Sequence, residues 1–211
     1  MIAPDDTKSA YVLGLIAASS VMSFFILAPP LGWLAVLLVP ALGGFVMRRD
    51  RQVFALYSLG VVVTGVGLIS LRTDQGLHWI LWLVSVVVMT DIAGYFAGRF
   101  IGGPKFWAKL SPKKTWSGTV AGWVGAAIVG ALFMGPLGVG VWIIGVSVLA
   151  SFASQMGDIG ESAIKRRCGV KDSSSLLPGH GGLLDRFDGL IGATLLAFLA
   201  FQICGIPAVA G

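Results

Sequence analysis

Five of the ten acidic residues lie in one stretch, Ser154 to Gly189, which reads SQMGDIGESAIKRRCGVKDSSSLLPGHGGLLDRFDG. Within it Asp158, Glu161, Ser162 and Lys165 fall at i, i+3, i+4 and i+7, the spacing of one helical face, with Gln155 a turn earlier. Asp185 and Asp188 lie three apart, at the mouth of an apolar segment. With Asp158 they form an oxygen-only set suited to Mg²⁺, which takes one or two carboxylates plus water and substrate phosphates. No Cys/His spacing favours zinc. Between the acids, SSSLLPGHGGLLD offers small residues whose backbone can approach a ligand and present N–H groups to phosphate. Ser and Gly runs are also ordinary flexible loops, and a histidine between glycines, His180, is more often a loop residue than a base. Part of the acid face has a plain structural reading, because Glu161 and Lys165 make a good i, i+4 pair. Carboxylates beside membrane helices nevertheless usually pair or bind ions.

Three smaller constellations accompany this stretch. Ser111-Pro112-Lys113-Lys114-Thr115-Trp116-Ser117-Gly118 precedes an apolar segment. Paired lysines with hydroxyls at a helix N-terminus suit a polyphosphate, although the Walker A spacing is absent. A basic loop that sets membrane topology accounts for the lysines equally well. Asp91 lies inside an apolar segment and shares a face with Tyr95 and Gly98. A carboxylate costs about 3 kcal/mol at mid-helix and less near the end, so a role or an ion pair, for instance with Arg99, is expected. PKFWAKL at 104–110 reads as a short interfacial segment, with Phe106 and Trp107 among acyl chains and Lys105 and Lys109 at headgroups.

The elements that must position these residues are hydrophobic. Only 12% of the 211 residues are charged and 56% are hydrophobic, whereas an ordinary soluble domain carries about 25% charged residues. Apolar segments run over 10–28, 31–47, 52–71, 77–98, 118–135, 138–157 and 188–206. Each is long enough to cross a bilayer, the shorter ones with little tilt. The sequence therefore predicts an all-α, polytopic membrane helix bundle of about seven spans. It forms a single membrane-embedded domain over 1–211, with N-terminal spans at 1–75 and a motif-bearing half at 77–206. Pro29-Pro30 and Gly135-Pro136 are expected to break adjacent segments. The N-terminus lacks a basic n-region and a cleavage site, so the first segment reads as a retained helix. Threading seven spans puts Arg48, Arg49 and Arg51, the basic run from Arg99 to Lys114, and the cations from Lys165 to Arg186 on one side, which the positive-inside rule makes cytoplasmic. It also puts Cys168 and Cys204 on opposite sides, against a disulfide. The net charge of +5 does not indicate nucleic acid, because no basic patch is interleaved with aromatics on a soluble face.

Taken together, the motifs resemble the signature of the phosphatidate cytidylyltransferases, also called CDP-diacylglycerol synthases. The resemblance is carried by Ser162-Ala-Ile-Lys165-Arg166, Lys171-Asp172, Pro178-Gly-His180-Gly181-Gly182 and Asp185-Arg186-Phe187-Asp188. Upstream, Gln155-x-Gly157-Asp158-x-x-Glu161-Ser162, Ser111-Pro-Lys-Lys-Thr115 and Asp91…Tyr95…Gly98-Arg99 fit the same pattern. Two positions depart from it. Ser117 stands where the family usually has Glu, and Ala93-Gly94 where it usually has Gly-Ala; the chain is also short for the family.

The resemblance implies an Mg²⁺-dependent enzyme that converts CTP and phosphatidate to CDP-diacylglycerol and pyrophosphate. It implies a homodimer in the bacterial inner membrane, working at the cytoplasmic face among membrane lipids. The metal is expected on Asp158 and Asp185, with Asp188 in an outer position or on a second, monovalent cation such as K⁺. Lys165, Arg166 and Arg186 are expected on phosphates. Lys113, Lys114 and Thr115 are expected on the CTP triphosphate or the phosphatidate head. Ser111, Ser162, Lys171, His180, Gly181 and Gly182 complete the expected substrate contacts, and Asp91, Tyr95 and Glu161 support the site. Two rivals are a CTP-dependent enzyme acting on an archaeol-type phosphate or a polyprenol, and a transporter. Against the transporter, the charges gather at one face and not at the midplane, and no repeat is visible.

Overall fold

Proline and glycine punctuate the apolar segments. The computed structural model describes residues 7–46, 50–108, 110–174, 182 and 184–204. Seven helices follow in order: α1 Thr7–Ile26, α2 Pro29–Val46, α3 Arg51–Ser70, α4 Leu77–Phe100, α5 Trp116–Leu137, α6 Trp142–Arg167 and α7 Asp188–Cys204. Pro29 opens α2, where a missing N–H is no loss. The expected break at Gly135-Pro136 falls later. Pro136 rides in the last turn of α5, which ends at Gly138 in the left-handed region (φ 64°). There the N–H of Gly138 donates to the Gly135 carbonyl at 3.0 Å and that of Val139 to Met134 at 3.1 Å.

Helical stretches at Arg51–Gln75, Leu77–Phe100, Trp116–Leu137 and Trp142–Arg167 are long and apolar enough to cross a membrane. Three shorter apolar helices, Tyr11–Ile26, Pro30–Phe45 and Asp188–Gln202, fall where the other segments were expected. The fold is thus the anticipated membrane-grade helical one, with one addition. Residues Lys105–Trp107 (β1) and Ser111–Thr115 (β2) pair as an antiparallel hairpin, Lys105 opposite Thr115 and Trp107 opposite Ser111. The sequence predicts an interfacial segment and a basic loop here. The hairpin is fixed by tertiary contacts: the Trp116 N–H donates to the Pro104 carbonyl at 3.1 Å, and the Phe106 and Trp116 rings meet edge to face at 4.7 Å.

The chain divides into two compact units, Met1–Ile69 and Ser70–Gly211. In the first, α1 and α2 form a hairpin closed by the edge-to-face rings of Phe24 and Trp33 at 4.9 Å. The second unit holds α4 to α7 and the β-hairpin. Its core is Trp79, Trp82, Leu83, Val86, Ile143 and Ala150, all fully buried. Polar side chains tie the helices inside this apolar setting. Trp82 Nε1 donates to Ser147 Oγ at 2.9 Å, and Thr90 Oγ1 to Ser151 Oγ at 2.8 Å. Such bonds lock helix register where hydrophobic contrast is weak.

Helices α6 and α7 cross backbone to backbone. A Cβ on Gly192 would run into the carbonyl of Ala153, and one on Gly157 into the carbonyl of Asp188. Gly192→Ala is therefore expected to destabilise the protein by about 1–3 kcal/mol, since both obstacles are main chain. Thermal unfolding in detergent, compared with Gly145→Ala, where a Cβ meets nothing within 4 Å, measures the difference.

Candidate active site

Helix α6 organises the site. Ser147, Ser151, Gln155, Asp158 and Ser162 recur at helical spacing along it and lead from the buried core to its polar end. The glycine crossing described above brings the first turn of α7 against this end, so Asp158 and Asp188 become neighbours. Asp188 Oδ1 accepts the N–H of Gly189 at 2.7 Å, and Ser162 Oγ reaches Asp158 Oδ1 at 3.5 Å.

One turn on, Glu161 is completely enclosed. Its Oε2 lies 3.7 Å from Lys165 Nζ, and neither carboxylate oxygen has a hydrogen-bond partner among the described residues. Lys165 Nζ also binds Asp185 Oδ1 at 3.1 Å, so one lysine serves two acids. Asp185 is the anchor of the loop that returns to α7. Its oxygens accept the backbone N–H of Ser173 at 3.0 Å and of Gly182 at 2.8 Å. Burial pushes this carboxyl up, but the two N–H groups and Lys165 outweigh it and hold Asp185 well below the ordinary carboxylate range.

The β-hairpin delivers the other lysine. Lys114 Nζ pairs with Asp158 Oδ2 at 2.6 Å and reaches the Gln155 carbonyl at 3.4 Å. Gln155 is itself braced: its Oε1 accepts Trp123 Nε1 at 3.1 Å and its Nε2 donates to the Thr119 carbonyl at 3.2 Å. Thr115 is buried as the N-cap of α5, its Oγ1 accepting the Gly118 N–H at 3.2 Å. Ser117 bonds the Gly102 carbonyl and the Thr115 hydroxyl, stitching the hairpin's root to α5.

Two cavities border the site. One of about 460 Å³ is lined by Asp91, Gly94, Tyr95, Arg99, Lys113 and Lys114 among others. Asp91 has Lys114 and Asp158 as charged neighbours; the suggested partner Arg99 instead donates to Tyr95 Oη at 2.9 Å. The second, about 230 Å³, is lined by Ser111, Lys113, Ser162, Lys165, Arg166 and Lys171 among others. Arg186 is exposed on the turn beside Asp185. His180 and Gly181 lie outside the described residues; Gly182 is buried and donates to Asp185.

The structure thus gathers Asp158, Glu161, Lys165, Asp185, Asp188 and Lys114 from three segments distant in sequence. Sequence reasoning did not single out Trp123 or the backbone N–H of Ser173, for which no local pattern exists. Gln155 is legible in the sequence both one turn before Asp158 on the helical face and in the Gln-x-Gly-Asp spacing. The carboxylates of Asp158, Asp185 and Asp188 offer oxygen donors alone, which is the chemistry of a hard cation such as Mg²⁺. Among the described residues no three acids close on one point, and in this arrangement Lys114 and Lys165 hold the acids' charge. What the cluster can do is bring cations and carboxylates to phosphate groups at the end of a membrane helix.

Comparison with known proteins identifies a family. Residues 6–204 match the profile of the cytidylyltransferase family. Over 146 residues the chain is 49% identical to the phosphatidate cytidylyltransferase of Brucella suis biovar 1 (strain 1330), covering 66% of this chain and 53% of that protein. Over 141 residues it is 40% identical to the phosphatidate cytidylyltransferase of Staphylococcus aureus (strain COL), covering 65% of this chain and 54% of that protein. The chain spans about half the length of the curated relatives it matches.

Proposed function

The chain belongs to the cytidylyltransferase family, and from that premise we propose that it transfers CMP from CTP to phosphatidate, yielding CDP-diacylglycerol and pyrophosphate. The observation that carries the reading is the alternation Lys114–Asp158 and Glu161–Lys165–Asp185 at the end of α6, open to further cations. A phosphate oxygen of phosphatidate attacks the α-phosphorus of CTP. The bond from that phosphorus to the bridging oxygen of the β-phosphate breaks, and pyrophosphate leaves in line. The nucleophile is already an anion, so no strong base is needed. The obstacle is the meeting of two polyanions. Lys113, Lys114, Lys165 and Arg166 offset it by neutralising and orienting phosphate oxygens. Mg²⁺, held by Asp158 and Asp185 with Asp188 alongside, would supply further neutralisation of phosphate charge; a monovalent cation such as K⁺ would share Asp188. Glu161 and Asp185 keep Lys165 charged and aimed. Asp91 and Tyr95 shape the adjoining cavity. The basic residues bordering the spans support, by the positive-inside rule, a cytoplasmic location for this end of the molecule, where CTP is found.

The test is a lipid panel. Purified protein with labelled CTP and Mg²⁺ receives phosphatidate, an archaeol-type phosphate or a polyprenol in separate reactions. Labelled product is expected with phosphatidate, and it should vanish when a chelator removes Mg²⁺. Product only with one of the other lipids would reject phosphatidate as the substrate.

A further inference from the structure

The two cavities bordering the site differ in what surrounds them. The larger opens along α4, whose Ile92, Tyr95, Phe96 and Phe100 are exposed. This helix is long and apolar enough to cross a membrane, so that face meets acyl chains. Tyr95 and Phe96 stack edge to face at 5.5 Å, and Phe96 and Phe100 lie parallel at 6.0 Å, making a continuous aromatic flank. At its end Arg99, held by Tyr95 Oη, sits on the rim of the cavity without a carboxylate partner among the described residues. A guanidinium fixed at the membrane boundary, next to an apolar wall, suits a phosphomonoester whose tails stay in the bilayer.

The smaller cavity lies away from that flank. Its walls are the turn of the β-hairpin, the last turn of α6 and the segment just beyond it. Lys113, Arg166 and Lys171 face it and make no ion pair among the described residues, while Asp172 is its one acid. Uncompensated cations with the hydroxyls of Ser111 and Ser162 match a water-borne polyphosphate. The reverse assignment would place a triphosphate against acyl chains and lipid tails in a cationic, water-facing recess, both strongly unfavourable.

We propose that the larger cavity receives the phosphate head of the lipid and the smaller one the triphosphate, with Lys113, which lines both, at the point of transfer. This assignment rests on the cytidylyltransferase reading. It makes Arg99 a lipid-binding residue, a role that the motif comparison left unassigned. It also makes the β-hairpin the partition between the two substrates.

The test is a split of Michaelis constants in the purified full chain, with each substrate varied against saturating amounts of the other in mixed micelles. Arg99→Gln should raise KM for phosphatidate about tenfold and leave KM for CTP unchanged; Arg166→Gln and Lys171→Gln should do the opposite; Lys113→Gln should raise both. In the Arg99, Arg166 and Lys171 variants the unmoved constant shows that the fold is intact. Water-soluble glycerol 3-phosphate should not compete with phosphatidate, which separates a lipid site from a site for any phosphomonoester. A crossed pattern, both constants moving together in the Arg99 variant, or effective competition by glycerol 3-phosphate would overturn the assignment while leaving the reaction intact. A wild-type protein that makes no CDP-lipid would reject the functional reading and the assignment with it.

Discussion

Asp158→Asn is expected to lower CDP-diacylglycerol formation by about a thousandfold or more while leaving the fold in place, because it removes a carboxylate that would hold the neutralising Mg²⁺ where the two polyanions meet. The substitution keeps the shape of the side chain. Asp158 is about one-third exposed, and its partners are one lysine from the hairpin and the Ser162 hydroxyl at 3.5 Å, so little stability depends on it. Lys114 keeps its contact with the Gln155 carbonyl and is not stranded. Initial rates at saturating substrate, set beside thermal unfolding, separate the two effects. A variant with wild-type rate would remove Asp158 from the chemistry, and one that unfolds would make its role structural.

Asp185→Ala should damage both stability and activity. The carboxylate accepts two backbone N–H groups and Lys165, and both it and Lys165 are largely buried. Removing one partner of a buried pair costs about 3–5 kcal/mol, since the remaining groups lose their acceptor. Faster amide exchange at Ser173 and Gly182 than elsewhere in the second unit is the local signature. The same anchor gives a pH dependence. Asp185 has a folded value below its unfolded one, so its contribution is fully present above the unfolded value of about 3.9. It is lost as pH falls further, through the lowered folded value. Wild-type and Asp185→Ala stabilities should therefore converge in strong acid and differ most near neutrality. Parallel curves across that range would show that the clamp is not the anchor.

The extent to which the sequence discloses this arrangement follows from the physics of each part. The apolar helices are readable because bilayer thickness fixes their length and composition fixes their place. The face carrying Asp158, Glu161, Ser162 and Lys165 is readable because helical spacing is local. The Lys114–Asp158 pair is not, since nothing near either residue encodes which loop returns to α6. The β-hairpin escapes for the same reason: three residues of β1 are too few to show an alternating pattern, and ring and backbone contacts with Trp116 fix it. Glycine abundance signals close helix packing in general. Only the structure shows that Gly157 and Gly192 form the crossing that sets Asp188 beside Asp158. Its type and position in the sequence mark Asp185 as a metal ligand. Its grip on the Ser173 and Gly182 N–H groups is a tertiary fact, and it adds a positioning role to the one the residue type suggests.

The α-phosphorus of CTP is the atom that the phosphatidate oxygen is expected to attack. Purified protein supplied with phosphatidate, Mg²⁺ and CTP labelled in either the α- or the γ-phosphate tests it most directly. The α-label should pass into the lipid and the γ-label into pyrophosphate, with one pyrophosphate released per lipid formed. Transfer of the γ-label to lipid with release of CDP would contradict the account and make the protein a CTP-dependent lipid kinase.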